Sequence, residues 1–322
     1  MDMELFQDAK WITCPMRKPA DKDGGHIGLQ TAYFRLCFDA PGNANLTLSL
    51  SAHSRYRLLV NGNAITYGPC KGDRWRQFYE TVDVGKHLVH GRNVIAVKVI
   101  SHPPYEAQKG NQRAPYWTMA KALGPSLVVS GFCLDENDNV CCDIGTGKAG
   151  WTVCADTAVA WRHFTLTHWM GAMESVEGAR LPQGWETAED KSREWVTAEV
   201  LWPADDINLS TFGIIPVFPL TPRPIPLMFE REGAFQREMP LKESDLKAFS
   251  FMQPNQTAII PPNSAMAVEL DAGTHRTAFL LLRMAGGSGS EVTIRYAESY
   301  MDKETRHKGG REIGRASCRE RV

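Results

Sequence analysis

Between residues 32 and 60 the chain keeps returning to one pattern, apolar and polar residues in alternation. Leu46, Leu48 and Leu50 alternate with Thr47, Ser49 and Ser51. Such a period of two belongs to a β-strand with one buried face, because successive side chains of a strand point to opposite sides. Over residues 32–38, Phe34, Leu36 and Phe38 share one face, and Tyr33, Arg35 and Cys37 share the other. Tyr56, Leu58 and Val60 alternate with Arg55 and Arg57, and the run ends at Asn61-Gly62. That dipeptide predicts a two-residue hairpin, since both central positions of a type I′ turn need positive φ. Residues 93–100 carry Val94, Ile95, Val97, Val99 and Ile100 with hardly a polar break, which predicts a strand covered on both faces. Pro103-Pro104 stops it. A further strand is predicted over residues 126–134, closed by the turn Glu136-Asn137-Asp138-Asn139.

The later chain repeats the theme after an interruption. Prolines stand at 203, 216, 219, 222, 224 and 226, a density that neither a helix interior nor a central strand tolerates, so an extended connector is predicted there. Beyond it a short helix over 241–248 is expected, then strands over 267–270, 277–284 and 290–296. Gly286-Gly287-Ser288-Gly289 is read as the hairpin turn between the last two. The sequence shows no long amphipathic helix and no repeat of fixed period. A mainly β chain of Greek-key or jelly-roll sandwiches follows.

Charge and cysteine usage narrow the function classes. The 322 residues include 36 basic and 37 acidic side chains, a formal net charge of -1. That balance offers no bulk field for nucleic acid or an anionic membrane, and neither is expected as a partner. The first residues lack a basic stretch followed by an apolar run, and no stretch of about 18 apolar residues occurs. A cytoplasmic protein with eight reduced cysteines is the expectation; none of them forms a C-x-x-C pair.

Few constellations invite chemistry. Glu174 with Glu177, and Asp205 with Asp206, lie in polar stretches where nothing predicts the burial that raises a general acid's pKa. Asp271 and Glu298 flank predicted strands and are read as a structural polar contact. His87 with His90, and His163 with His168, lack the further ligands a zinc site needs. Cys141-Cys142 is read as two ordinary thiols. The glycine cluster at 286–289 is followed by a strand, not by the helix a phosphate cradle requires. Neither metal nor cofactor is expected. Trp151, Trp161, Trp169, Trp185, Trp195 and Trp202 are read as pins that hold long loops onto a sandwich face. The loop Lys71-Gly72-Asp73-Arg74-Trp75-Arg76 is cationic, carries an aromatic ring and joins two predicted strands. Arg74, Trp75 and Arg76 are therefore the candidate contact residues, toward a carbohydrate or toward a neighbouring domain; a solvated loop with a tucked Trp75 is the plainer alternative.

Several stretches in order resemble the N-terminal, non-catalytic part of bacterial α-L-rhamnosidases. They are Ala9-Lys10-Trp11-Ile12, Ala32-Tyr33-Phe34-Arg35, the block from Ser51 through Arg55-Tyr56-Arg57 to Asn61-Gly62, and Gly68-Pro69. Asn93-Val94-Ile95-Ala96-Val97, Gly184-Trp185, Trp195, Pro222-Arg223-Pro224-Ile225-Pro226-Leu227, Asp271-Ala272-Gly273 and Tyr296-Ala297-Glu298 continue the series. The resemblance implies a galactose-binding-like or jelly-roll sandwich over 1–202, the connector over 203–245, and the start of a second, truncated sandwich over 246–311. It also implies a parent glycoside hydrolase that cleaves terminal α-L-rhamnosides with inversion, by two carboxyl groups on a helical barrel beyond these residues. No catalytic residue is then expected in this chain, which alone should be inactive; a rhamnose-containing glycoside would be met through the missing domain. The sequence leaves a homo-oligomer open. A free-standing carbohydrate-binding module, or the front sandwich of another glycosidase family, remains the alternative. The last eleven residues, EIGRASCRERV at 312–322, resemble translated sequencing-adaptor read-through, so the natural chain is expected to continue differently after Arg311.

Overall fold

The computed structural model describes residues 3–15, 30–72, 76–101, 124–162, 173–189, 195–204, 220–240, 257, 259–274 and 276–296. The chain divides into two compact units, residues 1–229 and 230–322.

The first unit is a β-sandwich. Its strands in chain order are β1 (Lys10–Thr13), β2 (Gln30–Ala40), β3 (Asn45–His53), β4 (Arg55–Val60), β5 (Asn63–Gly68) and β6 (Gln77–Asp83). Then come β7 (Gly91–Ser101), β8 (Ser126–Ser130), β9 (Phe132–Leu134), β10 (Val140–Asp143), β11 (Thr152–Ala155) and β12 (Val159–Arg162). The series closes with β13 (Met173–Val176), β14 (Val196–Thr197), β15 (Glu199–Pro203) and β16 (Leu220–Pro222). One sheet runs β14-β11-β2-β7-β4-β5. The other runs β10-β9-β3-β8-β1-β15, with β6 on the free edge of β3 and β16 beside β6. β12 and β13 form a separate hairpin.

The alternation read from the sequence decides what lies between the sheets. Phe34, Leu36 and Phe38 of β2, Leu46, Leu48 and Leu50 of β3, Tyr56, Leu58 and Val60 of β4, and Ile95, Val97 and Val99 of β7 all enter one buried cluster. The opposite face of β7 is covered as well. Val94 and Ala96 lie in a second cluster with Tyr33, Leu59 and Trp185, so this strand is buried on both sides as its unbroken apolar run predicts. The predicted turn is present: Asn61 and Gly62 have φ of 49° and 79°, and Val60 pairs with Asn63 across it. The Asn61 side chain does more than tolerate that backbone. Its amide donates to the His87 carbonyl at 2.9 Å and to Asn93 Oδ1 at 2.8 Å, while its own oxygen accepts from Val94 N. The hairpin tip is thereby tied to the start of β7.

Two readings change in detail. The strand predicted over 126–134 is two strands interrupted at Gly131. A Cβ there would stand 2.6 Å from the Thr47 carbonyl, so only glycine lets the backbones approach and lets β3 pair first with β9, then with β8. Trp151 is not a loop pin. It lies 2 % exposed in the main core, its indole N–H donating to the Ile144 carbonyl at 2.9 Å. Trp185 and Trp195 do hold a loop onto the outer face of β2 and β7. Trp202 packs beside the cluster of Phe6, Trp11 and Tyr79 on the outer face of the other sheet. Trp169 lies outside the described residues.

In the second unit, β17 (Arg237–Pro240) pairs antiparallel with β18 (Val268–Asp271), which realises the strand predicted over 267–270. The strands predicted over 277–284 and 290–296 are not formed among the described residues; Tyr296 is a single bridge residue. Phe279, Leu281 and Met284 are 82 %, 74 % and 68 % exposed. A period-two pattern gives a strand only where a partner ladder can satisfy its backbone. The Gly287 turn forms without flanking strands, its carbonyl accepting from Ser290 N at 2.9 Å. The helix predicted over 241–248 lies outside the described residues.

Candidate functional site

Of the loop singled out from the sequence, Lys71 and Arg76 are exposed, and Arg74 and Trp75 lie outside the described residues. The loop leaves β5 through the cis peptide Gly68-Pro69. Its neck is tight: a Cβ on Gly72 would collide with the Arg76 carbonyl.

The loop is fastened at one residue that sequence reasoning missed. Glu80 sits on β6 opposite Leu50 of β3, in phase with Val82, which belongs to the core. Its side chain is wholly buried. Tyr56 Oη donates to Glu80 Oε2 at 2.7 Å, and Cys70 N at the loop base donates to Oε1 at 2.6 Å. Arg223 Nη1 reaches the same Oε1 at 3.0 Å, as an ion pair with only 8 % of the arginine side chain exposed. The signal was present in the sequence as a carboxylate at a core-phase position of a strand, which demands a cation or several donors.

Arg223 comes from the proline-rich stretch. β16 adds to β6 as a parallel edge strand, Leu220 opposite Gln77 and Pro222 opposite Tyr79. Arg223 N then donates to the Tyr79 carbonyl at 3.0 Å, and its Nε donates to the carbonyls of Ile225 and Pro226 at 3.0 and 3.2 Å. A single carboxylate therefore holds both the base of the 69–76 loop and the exit of the connector. There is no room to spare around it, because a Cβ on Gly68 would overlap Glu80 Oε2 and lie 2.6 Å from the Tyr56 ring. Burial, then the charge of Glu80 and the bond to it, hold the Tyr56 phenol well above its ordinary pKa of 10.0.

This arrangement is architectural rather than acid–base machinery, since the carboxylate has no open path to a substrate. Among the described residues the other acidic candidates do not converge either. Glu177 pairs with Arg180 at 3.2 Å on the surface. Asp271 accepts from Gly273 N at 2.7 Å, closing a turn. Asp205, Asp206 and Glu298 lie outside the described residues, as do His163 and His168. His87 lies on a short 3-10 turn, where desolvation and then Lys86 lower its pKa. Among the described residues no three His, Cys, Asp or Glu side chains gather as a metal site, and no helix is long and apolar enough to cross a membrane. The described cysteines are free thiols. Burial pushes the Cys133 thiol up to about 11, which makes it inert, while Cys141 beside it is exposed.

A GH78 family rhamnosidase of Bacillus sp. GL1 superposes with a TM-score of 0.53 at 22 % identity, over 72 % of this chain and 21 % of that one. The α-L-rhamnosidase from Dictyoglumus thermophilum gives a TM-score of 0.48 at 19 % identity, over 73 % of this chain and 24 % of that one. The chain thus spans between a fifth and a quarter of the length of these two enzymes. The likeness to the Bacillus enzyme shows a shared fold. No family profile matches the sequence, and no curated protein matches it.

Proposed function

We propose that this chain is the accessory β-sandwich region of a glycoside hydrolase of the α-L-rhamnosidase type, whose chemistry resides in residues beyond it. The observation that carries the reading is the fold shared with the Bacillus rhamnosidase over 72 % of this chain. The arrangement at Glu80 agrees with a bracing role. The connector does not leave as a loose tether; it is stapled to the sandwich by a buried ion pair before it continues. The base of the 69–76 loop is fastened to the same carboxylate, and in this reading the loop residues Arg74, Trp75 and Arg76 serve as contacts for a following domain. No acid–base pair of this chain carries catalysis in this reading.

The test is hydrolysis of an aryl α-L-rhamnoside. The protein read from the source locus through and past Arg311 should be active, and the 322-residue chain should be inactive. Turnover by the 322-residue chain alone, or a locus encoding no glycosidase domain downstream, would overturn the proposal. In the active protein, replacing Arg74, Trp75 and Arg76 together with alanine should lower kcat/KM without unfolding the sandwich.

A further inference from the structure

On the outer face of the β14-β11-β2-β7-β4-β5 sheet, register places four side chains in one line across four strands. Tyr33 of β2 lies opposite Lys98 of β7, Lys98 opposite Arg57 of β4, and Arg57 opposite Tyr67 of β5. Arg55 stands two residues from Arg57 on the same face. The tryptophan-pinned loop covers the adjoining part of this face, where Trp185 packs with Leu59, Val94 and Ala96 and its ring meets that of Tyr33 edge-on with centroids 4.8 Å apart. Beyond it Arg55 and Arg57 are exposed and Lys98 is half-buried.

Lys98 and Arg57 are like charges in directly opposed positions, where Cβ atoms stand roughly 4.5–5.5 Å apart and the pairing is destabilising. Among the described residues no carboxylate forms an ion pair with them. The ion pairs of the described residues involve other cations, and Arg55, Arg57 and Lys98 have no further partner. Asp156, the carboxylate bound to Tyr33 of the row, forms no ion pair with these cations among the described residues. It accepts from Tyr33 Oη at 2.5 Å and from Ala158 N and Val159 N at 2.6 and 3.1 Å. What the cations do contact is aromatic faces. The Arg57 guanidinium lies 5.2 Å from the Tyr67 ring centroid, and Lys98 Nζ lies 5.9 Å from that of Tyr33. Stacking holds a guanidinium in place while leaving its in-plane N–H donors pointing outward. The row therefore presents pre-positioned donors, two cations outside any ion pair of the described residues, and flanking rings over about 14 Å, three strand spacings.

The geometry points to this row as a binding surface for an anionic saccharide, with Arg57 and Lys98 taking a carboxylate or sulfate group. The length of the row suits a short oligosaccharide segment rather than a single sugar. The chain's net charge of -1 gives it no wider basic field of the kind that nucleic acids require. The surface is independent of the accessory role proposed above: an aryl-rhamnoside assay does not probe it, and the following assay does not probe catalysis.

The full 322-residue chain would be run in native affinity gels containing polygalacturonate, dextran sulfate or neutral dextran. Retardation by an anionic polymer and not by neutral dextran is expected, weakening as salt is raised. Polygalacturonate alone would assign a uronate, dextran sulfate alone a sulfated glycan, and either result supports the surface. Arg57→Gln with Lys98→Gln should weaken binding about tenfold or more, the scale of a lost charge-assisted contact. Arg57→Glu alone should do the same, and Lys86→Gln, on the exposed 3-10 turn after β6, should change little. Near-ultraviolet circular dichroism would confirm that each variant is folded. Retention by neutral dextran to the same degree, no retardation by any anionic glycan, unchanged binding in the row variants, or equal or tighter binding of single-stranded DNA would each overturn the assignment.

Discussion

Arg223 and Arg57 are both guanidinium groups of the same sandwich, yet their surroundings differ in every respect that decides their energetics. Arg223 is 8 % exposed at its side chain, and it donates to Glu80 and to two carbonyls. Arg57 is exposed, stacks on Tyr67 and has no carboxylate partner among the described residues. Fixing Arg223 consumes its donors in tying one segment to another; fixing Arg57 leaves its donors free. Coulomb attraction between a buried pair only offsets the cost of taking both ions out of water. The inner pair is thus better understood as a specification of where the connector lies than as a large source of stability. The outer row costs a little stability and leaves that charge available to an external anion.

Removing one partner of the inner pair should give the largest effect. Glu80→Ala would leave Arg223 buried without its counter-charge and strip the acceptor from Tyr56 and Cys70. A loss of about 3–5 kcal/mol is expected in urea unfolding followed by tryptophan fluorescence. An effect below about 1 kcal/mol would mean that the two guanidinium groups are less different than their geometry indicates.

Next in size is Tyr56→Phe, which removes one donor from the buried carboxylate and should cost about 1–3 kcal/mol near pH 7. It also has a pH signature. The folded phenol is held above its ordinary value by burial and by Glu80, while the unfolded phenol ionises near 10. The contribution is therefore complete below pH 10 and is lost as pH rises through the higher folded value. Thermal unfolding of the wild type should fall off more steeply above pH 10 than that of Tyr56→Phe.

The smallest effect is expected at the outer row. Arg57→Gln with Lys98→Gln should shift stability by no more than about 0.5 kcal/mol, toward greater stability, because an opposed pair of like charges is relieved. A clear loss of Tm would show that these cations hold the sandwich together.

The parts of the fold that were legible in the sequence are those set by near neighbours. The faces of residues 32–38 and 46–51, the doubly buried run at 93–100 and the Asn61-Gly62 turn all follow from periods and turn chemistry over a few residues. The break at Gly131 was less visible, because its cause is the Thr47 carbonyl of another strand. The Glu80–Arg223 pair was invisible as a pair, its members lying 143 residues apart. Only the carboxylate's misplaced phase in β6 marked it. The cation row was hidden for a related reason: Arg57 and Lys98 become neighbours only through the β4–β7 register. In the second unit the period-two pattern alone misled, because residues 277–284 find no ladder among the described residues.

The shared carboxylate at Glu80 also has a bearing on timing. Synthesis delivers Tyr56, Cys70 and Glu80 long before Arg223. During that interval the nascent sandwich holds a carboxylate in its interior with hydroxyl and backbone donors but no cation. Long-range contacts of this kind are the slow ones to form. Translation of the segment carrying Arg223 thus marks the moment at which the sandwich can first close completely. A ribosome paused before that segment has emerged would hold a domain whose last fastening has not yet been made.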